Sequence, residues 1–97
     1  MNVYDLGDVV RSRVAFTNLA SAAVDPGGVQ FKIKSPLGAV TTYVYPVDSQ
    51  LVKDSTGNYH VDVDADRQGV WVVRWVGTGS NKSASESAFQ VGESQFD

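Results

Sequence analysis

The sequence contains no cysteine and a single histidine, His60. The first absence excludes disulfides, thiolate chemistry and cysteine-ligated zinc. The chain therefore either stays in a reducing compartment or needs no cross-links outside one. No stretch approaches the ~18 consecutive apolar residues of a membrane-spanning helix. The start, MNVYDLGDVV, has neither the basic segment nor the long apolar core of a signal peptide. Positive charge is in the minority, with eight Lys and Arg against eleven Asp and Glu, a net charge of −3 and a pI near 4.9. That balance argues against nucleic acid as a main partner, since phosphate binding needs a basic surplus or stripe. No membrane partner is expected either.

Ninety-seven residues make one domain, residues 1–97. A chain of this size buries roughly 64% of its extended surface on folding, enough to fold alone with a small margin. The core is expected over about residues 4–91. The polar tail at 92–97 is expected to fray.

What the chain does have is short apolar/polar alternation cut by Gly, Pro, Asp and Asn. VVRSRVAFTN puts Val10, Val14 and Phe16 on one side and Arg11, Arg13 and Thr17 on the other, the period of a half-buried strand. Asp25-Pro26-Gly27-Gly28 reads as a turn, with Asp25 free to bond a nearby backbone N–H. VQFKIK then turns Val29, Phe31 and Ile33 inward and Gln30, Lys32 and Lys34 outward. VTTYVY has strand composition but an ambiguous inward face. VDSQLVKDSTG reads mostly as loop, with a brief edge strand at Leu51 and Val52.

NYHVDVDAD is strict, with Tyr59, Val61 and Val63 on one face and His60, Asp62 and Asp64 on the other. WVVRWVGTG holds both tryptophans four residues apart, a spacing that puts them on one face of either a helix or a strand. Its valines are poor in a helix, because β-branching restricts χ1 against the preceding turn. The strand reading therefore holds, with Trp71, Val73 and Trp75 inside and Val72, Arg74 and Val76 outside. ASESAFQVG supplies a last strand with Phe89 and Val91 inward. The predicted core is Val14, Phe16, Phe31, Ile33, Tyr59, Val61, Trp71, Val73, Trp75 and Phe89.

Short strands with turn signals and no helix of ten residues predict an all-β fold, an immunoglobulin-like antiparallel sandwich of about seven strands. A small closed barrel is the alternative. In the immunoglobulin order, the strand bearing Arg11 and Arg13 pairs with the one bearing His60, Asp62 and Asp64, so opposite charges face each other. A second sheet then joins the Phe31, Tyr43 and Trp strands. Its outer face shows Lys32, Lys34 and Arg74 beside Val72 and Val76, with Tyr43 and Tyr45 added. Like charges without evident partners, next to outward valines and tyrosines, read as a docking surface.

The signatures of chemistry are weak. His60, Asp62 and Asp64 in a row stand about 6.5–7 Å apart, which suits a solvated face better than a chelate. Asp62, Asp64 and Asp66 begin like a calcium loop, but Arg67 and Val73 occupy the places of its Gly and bidentate Glu. GTGSNKS lacks the P-loop pattern and reads as a hairpin turn. Tyr59, just after Gly57-Asn58, suits a corner tyrosine whose hydroxyl bonds back to the backbone. No catalytic residue, metal or cofactor is expected.

Taken in order, YDLGDVVRSRVAFTN, VDPGGVQFKIKSPLGAVTTYVY, STGNYHVDVDADRQGVWVVRWVGTG and ESAFQV resemble small immunoglobulin-like proteins encoded among the virion genes of tailed bacteriophages. The likeness spans Tyr4 to Val91 and lies in the order and spacing of G-D, D-P, G-x-Y and G-x-W-x-x-R-W-x-G-T-G. It implies a non-enzymatic accessory protein of the particle, docked on the capsid surface as a decoration protein and assembled in the host cytoplasm. The implied partners are other virion proteins, the major capsid or a neck protein, contacted in many copies. A chain starting at Met1 with no linker fits a free-standing subunit. The alternatives are a neck or tail location, or a carbohydrate-binding surface module using Tyr43 or Tyr45 as a sugar platform.

Overall fold

The structure is a computed structural model that describes residues 2–79 and 82–92. Among the described residues there is no helix. The chain forms eight strands: β1 (Asn2–Tyr4), β2 (Val9–Ala15), β3 (Gly28–Lys34), β4 (Val40–Tyr45), β5 (Leu51–Ser55), β6 (Asn58–Asp64), β7 (Gly69–Thr78) and β8 (Ser83–Val91). They make two sheets, ordered β1-β8-β7-β3-β4 and β2-β6-β5. Every pairing is antiparallel except β1 with β8.

The alternation read from the sequence is what the sheets use. Each inward residue of β3 and β7 lies opposite another inward one, Phe31 against Trp75 and Ile33 against Val73. These stack over β6, whose Tyr59, Val61 and Val63 come from the other sheet, and all join one buried cluster. Trp71 lies parallel to Phe89, with ring centroids 6.0 Å apart, and its indole N–H donates to the Arg67 carbonyl at 3.0 Å. The Trp75 indole N–H crosses to the opposite sheet and donates to Ser12 Oγ at 3.0 Å. Both large rings thus bury their apolar area without leaving a donor unpaired.

Three expectations need correction. Val14 is only half-buried, because β2 is an edge strand and is flanked by β6 on one side alone. The strand count is eight, not about seven. The extra one, β1, is too short to show a period and is defined by its pairing with β8, backed by Tyr4 packing edge-on to Phe89 at 5.6 Å. β5 runs through Leu51–Ser55, longer than the two residues expected. The expected fraying of 92–97 falls mostly on residues 93–97, outside those described. Gly92 itself donates its N–H to the Tyr4 carbonyl at 2.9 Å. The expected hairpin at GTGSNKS joins β7 to β8, which pair up to Gly77 opposite Ser83; Ser80 and Asn81 lie outside the described residues.

Candidate functional site

The outer face of the five-stranded sheet is built by register. Lys34 of β3 lies opposite Val40 on one side and Val72 on the other, and Val72 lies opposite Ala88. One step along, Thr42, Lys32, Arg74 and Glu86 form the next row. The third row is Val44, Gln30, Val76 and Ala84. A charged row therefore runs across the sheet between two mainly aliphatic ones. Val40 is 61% exposed and Val70, further along β7, 46%. Apolar area is thus presented to solvent here rather than covered by a loop.

Lys32 and Arg74 are direct cross-strand neighbours. Like charges placed so oppose folding rather than support it. Arg74 has one relief, Glu86 on its far side, with Nη1 3.5 Å from Oε1. The expectation that Arg74 lacks a partner is therefore corrected. Among the described residues, this is the ion pair of the face; the others lie elsewhere.

Of the residues expected on this face, the structure brings together Lys32, Lys34, Val72, Arg74 and Val76. It removes Tyr43 and Tyr45. Their partners are Phe31 and Val29, both buried, so parity turns the tyrosines toward the core. Tyr43 lies parallel to Phe31 at 6.4 Å, and Tyr45 meets Tyr59 edge-on at 5.4 Å. In their place the face gains Val40 and Val44, from the other parity of VTTYVY, together with Val70, Ala84, Glu86 and Ala88.

The outer face of the smaller sheet is self-paired. Arg11 lies opposite Asp62, and its Nε and Nη2 donate to Oδ1 and Oδ2 at 2.8 and 3.1 Å. That fork raises the Arg11 pKa and lowers that of Asp62, the hydrogen bonds being the first cause of each. His60 stands on the same side of its strand as Asp62 but is not solvated as expected. It is 8% exposed on the central strand, between Arg13 and Val52, with Nδ1 2.8 Å from both oxygens of Asp54.

Asp25 anchors the other end of this sheet. Its Oδ2 accepts from Lys53 Nζ at 2.8 Å, and its Oδ1 accepts from the Gly57 N–H at 2.8 Å and the Tyr59 hydroxyl at 3.0 Å. The lysine first, and then the Gly57 amide, lower the Asp25 pKa. Burial, then the neighbouring carboxylate, pushes the Tyr59 hydroxyl up to about 12. Two expectations change here. The corner tyrosine bonds a carboxylate, not the backbone, and Asp25 caps an amide 32 residues away rather than a local one. Gly57 is required at this point, since its φ is +78° and a Cβ would fall 2.6 Å from the Phe16 carbonyl.

A cleft of about 550 Å³ opens beside β3, β4 and β6, with Ile33, Tyr43, Val63 and Trp71 among its lining and Asp64 and Arg67 near the β6–β7 link. It is of ligand size. Its Asp62 is already engaged by Arg11.

Comparison with known proteins finds no matching family model, no matching curated protein and no matching solved structure.

Proposed function

We propose that this chain is an immunoglobulin-like, non-enzymatic structural protein of a tailed-phage virion, docked on the capsid surface through the outer face of its five-stranded sheet. The strand order supports the immunoglobulin-like reading. β2-β6-β5 against β8-β7-β3-β4 is the order of the B-E-D and G-F-C-C′ strands of such sandwiches, with β1 added beside β8.

The observation that carries docking is the Lys32–Arg74 pair. Two cations sit directly opposite each other between rows that hold Val40, Val72, Val44 and Val76. Such a row weakens the free fold and leaves apolar surface wet. Both costs are relieved when a complementary surface covers the face. A lattice of many copies tolerates a small interface per copy, because neighbouring contacts add avidity.

The test is the number of copies of this chain per purified particle, by quantitative mass spectrometry against the major capsid protein. Hundreds of copies mean decoration of the capsid. About six to twelve mean a ring at the neck or tail. Absence from the particle ends the virion reading.

A further inference from the structure

We infer, resting on the docking reading above, that the partner is a carboxylate-bearing protein surface, with Asp or Glu side chains meeting Lys32 of the charged row and Lys34 of the aliphatic row beside it. The first support is charge segregation. The chain carries more carboxylates than cations, yet among the described strand residues of this face Lys32, Lys34 and Arg74 stand against Glu86 alone. Two of the cations elsewhere are already matched, Arg11 by Asp62 and Lys53 by Asp25, each at 2.8 Å. The lysines sit two apart on β3, about 6.5–7 Å along one strand. Their flexible stems let both ammonium groups converge on one carboxylate or take two neighbouring ones.

The surroundings select the class of partner. A nucleic acid would meet three cations and no exposed aromatic ring on which a base could stack, since Tyr43 and Tyr45 are turned inward. An anionic membrane would need deep apolar anchors, and the face offers valines and alanines of short reach. A second copy of this chain would bring three more cations, while its Glu86 is already held by Arg74 at 3.5 Å. An acidic protein surface with apolar residues around its carboxylates satisfies both the charged row and its aliphatic flanks.

The test uses purified particles carrying the protein, treated with a water-soluble carbodiimide. The reagent joins an amine to a carboxylate in direct contact as an amide and leaves as its urea. Peptide mapping is expected to find Lys32 or Lys34 joined to an Asp or Glu of another virion protein. The double variant Lys32→Gln, Lys34→Gln is expected to melt like the parent, to lose these links and to bind stripped particles at least about tenfold more weakly at low salt. Parent binding is expected to weaken as salt rises.

Particle-bound protein whose Lys32 and Lys34 stay unlinked while Lys53, on the other sheet, reacts would overturn the inference. So would links from Lys32 to Glu86 of a neighbouring copy, or release of the protein by nuclease. Failure of the docking reading looks different: the chain is then absent from the particle, or stays bound when Arg74 is reversed.

Discussion

The hydroxyl of Tyr59 lies 3.0 Å from Oδ1 of Asp25, joining the first residues of β6 to the segment that leads into β3. The ring is buried against Phe16 and Tyr45, so the phenol donates its one proton to a carboxylate that Lys53 and Gly57 hold in place. Tyr59→Phe keeps the packing and removes the bond, and the expected cost is about 1–2 kcal/mol. The same contact sets an alkaline limit. A phenol with a folded pKa of about 12 against 10.0 contributes stability that is full below pH 10 and lost as pH rises toward 12. Lys53, also raised, acts in the same direction. Thermal melts from pH 8 upward check this: the parent is expected to lose more stability between pH 10 and 12 than Tyr59→Phe.

Acid works with the opposite sign. Asp25 and Asp62 both have folded pKa values below the ordinary 3.8, by hydrogen bonds from Lys53 and Arg11 respectively. Their contribution is present above that value and is lost as pH falls through it and below. The parent is therefore expected to melt progressively lower under acid. Asp25→Asn and Asp62→Asn are expected to be less stable than the parent at neutral pH but to show a flatter acid limb. An equally steep limb in both variants would place the acid sensitivity elsewhere.

The two tryptophans separate packing from hydrogen bonding. Trp71→Ala removes a buried ring stacked on Phe89, at about 3–5 kcal/mol against a total of about 5–10 for a domain this size. Loss of a cooperative melt is expected. Ser12→Ala leaves the ring of Trp75 in place but strips its indole N–H of its acceptor. A buried donor left unpaired costs about 1–3 kcal/mol, so this variant should stay folded with a clearly lower melting temperature. Circular dichroism melts of the two side by side test the ranking.

Much of this was legible because alternation alone decides which side of a strand is buried. Phe31, Ile33, Trp71, Val73 and Trp75 are read correctly on that basis. The pairing of the strand bearing Arg11 and Arg13 with the one bearing His60, Asp62 and Asp64 is also found, but that expectation comes from strand order, not alternation. VTTYVY defeats the same rule. Valine or tyrosine stands at both parities, Val40 and Val44 on one and Tyr43 and Tyr45 on the other, so side-chain type does not choose. Register does: the tyrosines fall opposite Phe31 and Val29. His60 was legible as to side but not burial, because its cover comes from the flanking strands and from Asp54. The Asp25–Tyr59 bond joins residues 34 apart, and no local pattern encodes it.

The docking face yields the last test. Arg74→Glu puts a carboxylate opposite Lys32, which removes a repulsion, and next to Glu86, which adds one. The two changes are of similar size at an exposed site, so stability is expected to stay within about 1 kcal/mol of the parent. Docking has no such compensation, since the row now carries two carboxylates toward an acidic partner. Occupancy of purified particles is expected to fall at least about tenfold, judged by mass spectrometry at matched expression. Asp64→Asn, an exposed change on the other sheet, serves as control and is expected to leave occupancy at the parent level. Unchanged occupancy in Arg74→Glu, or an equal fall in both variants, would remove this face from the contact, because a substitution that spares the fold acts on binding only where the partner touches.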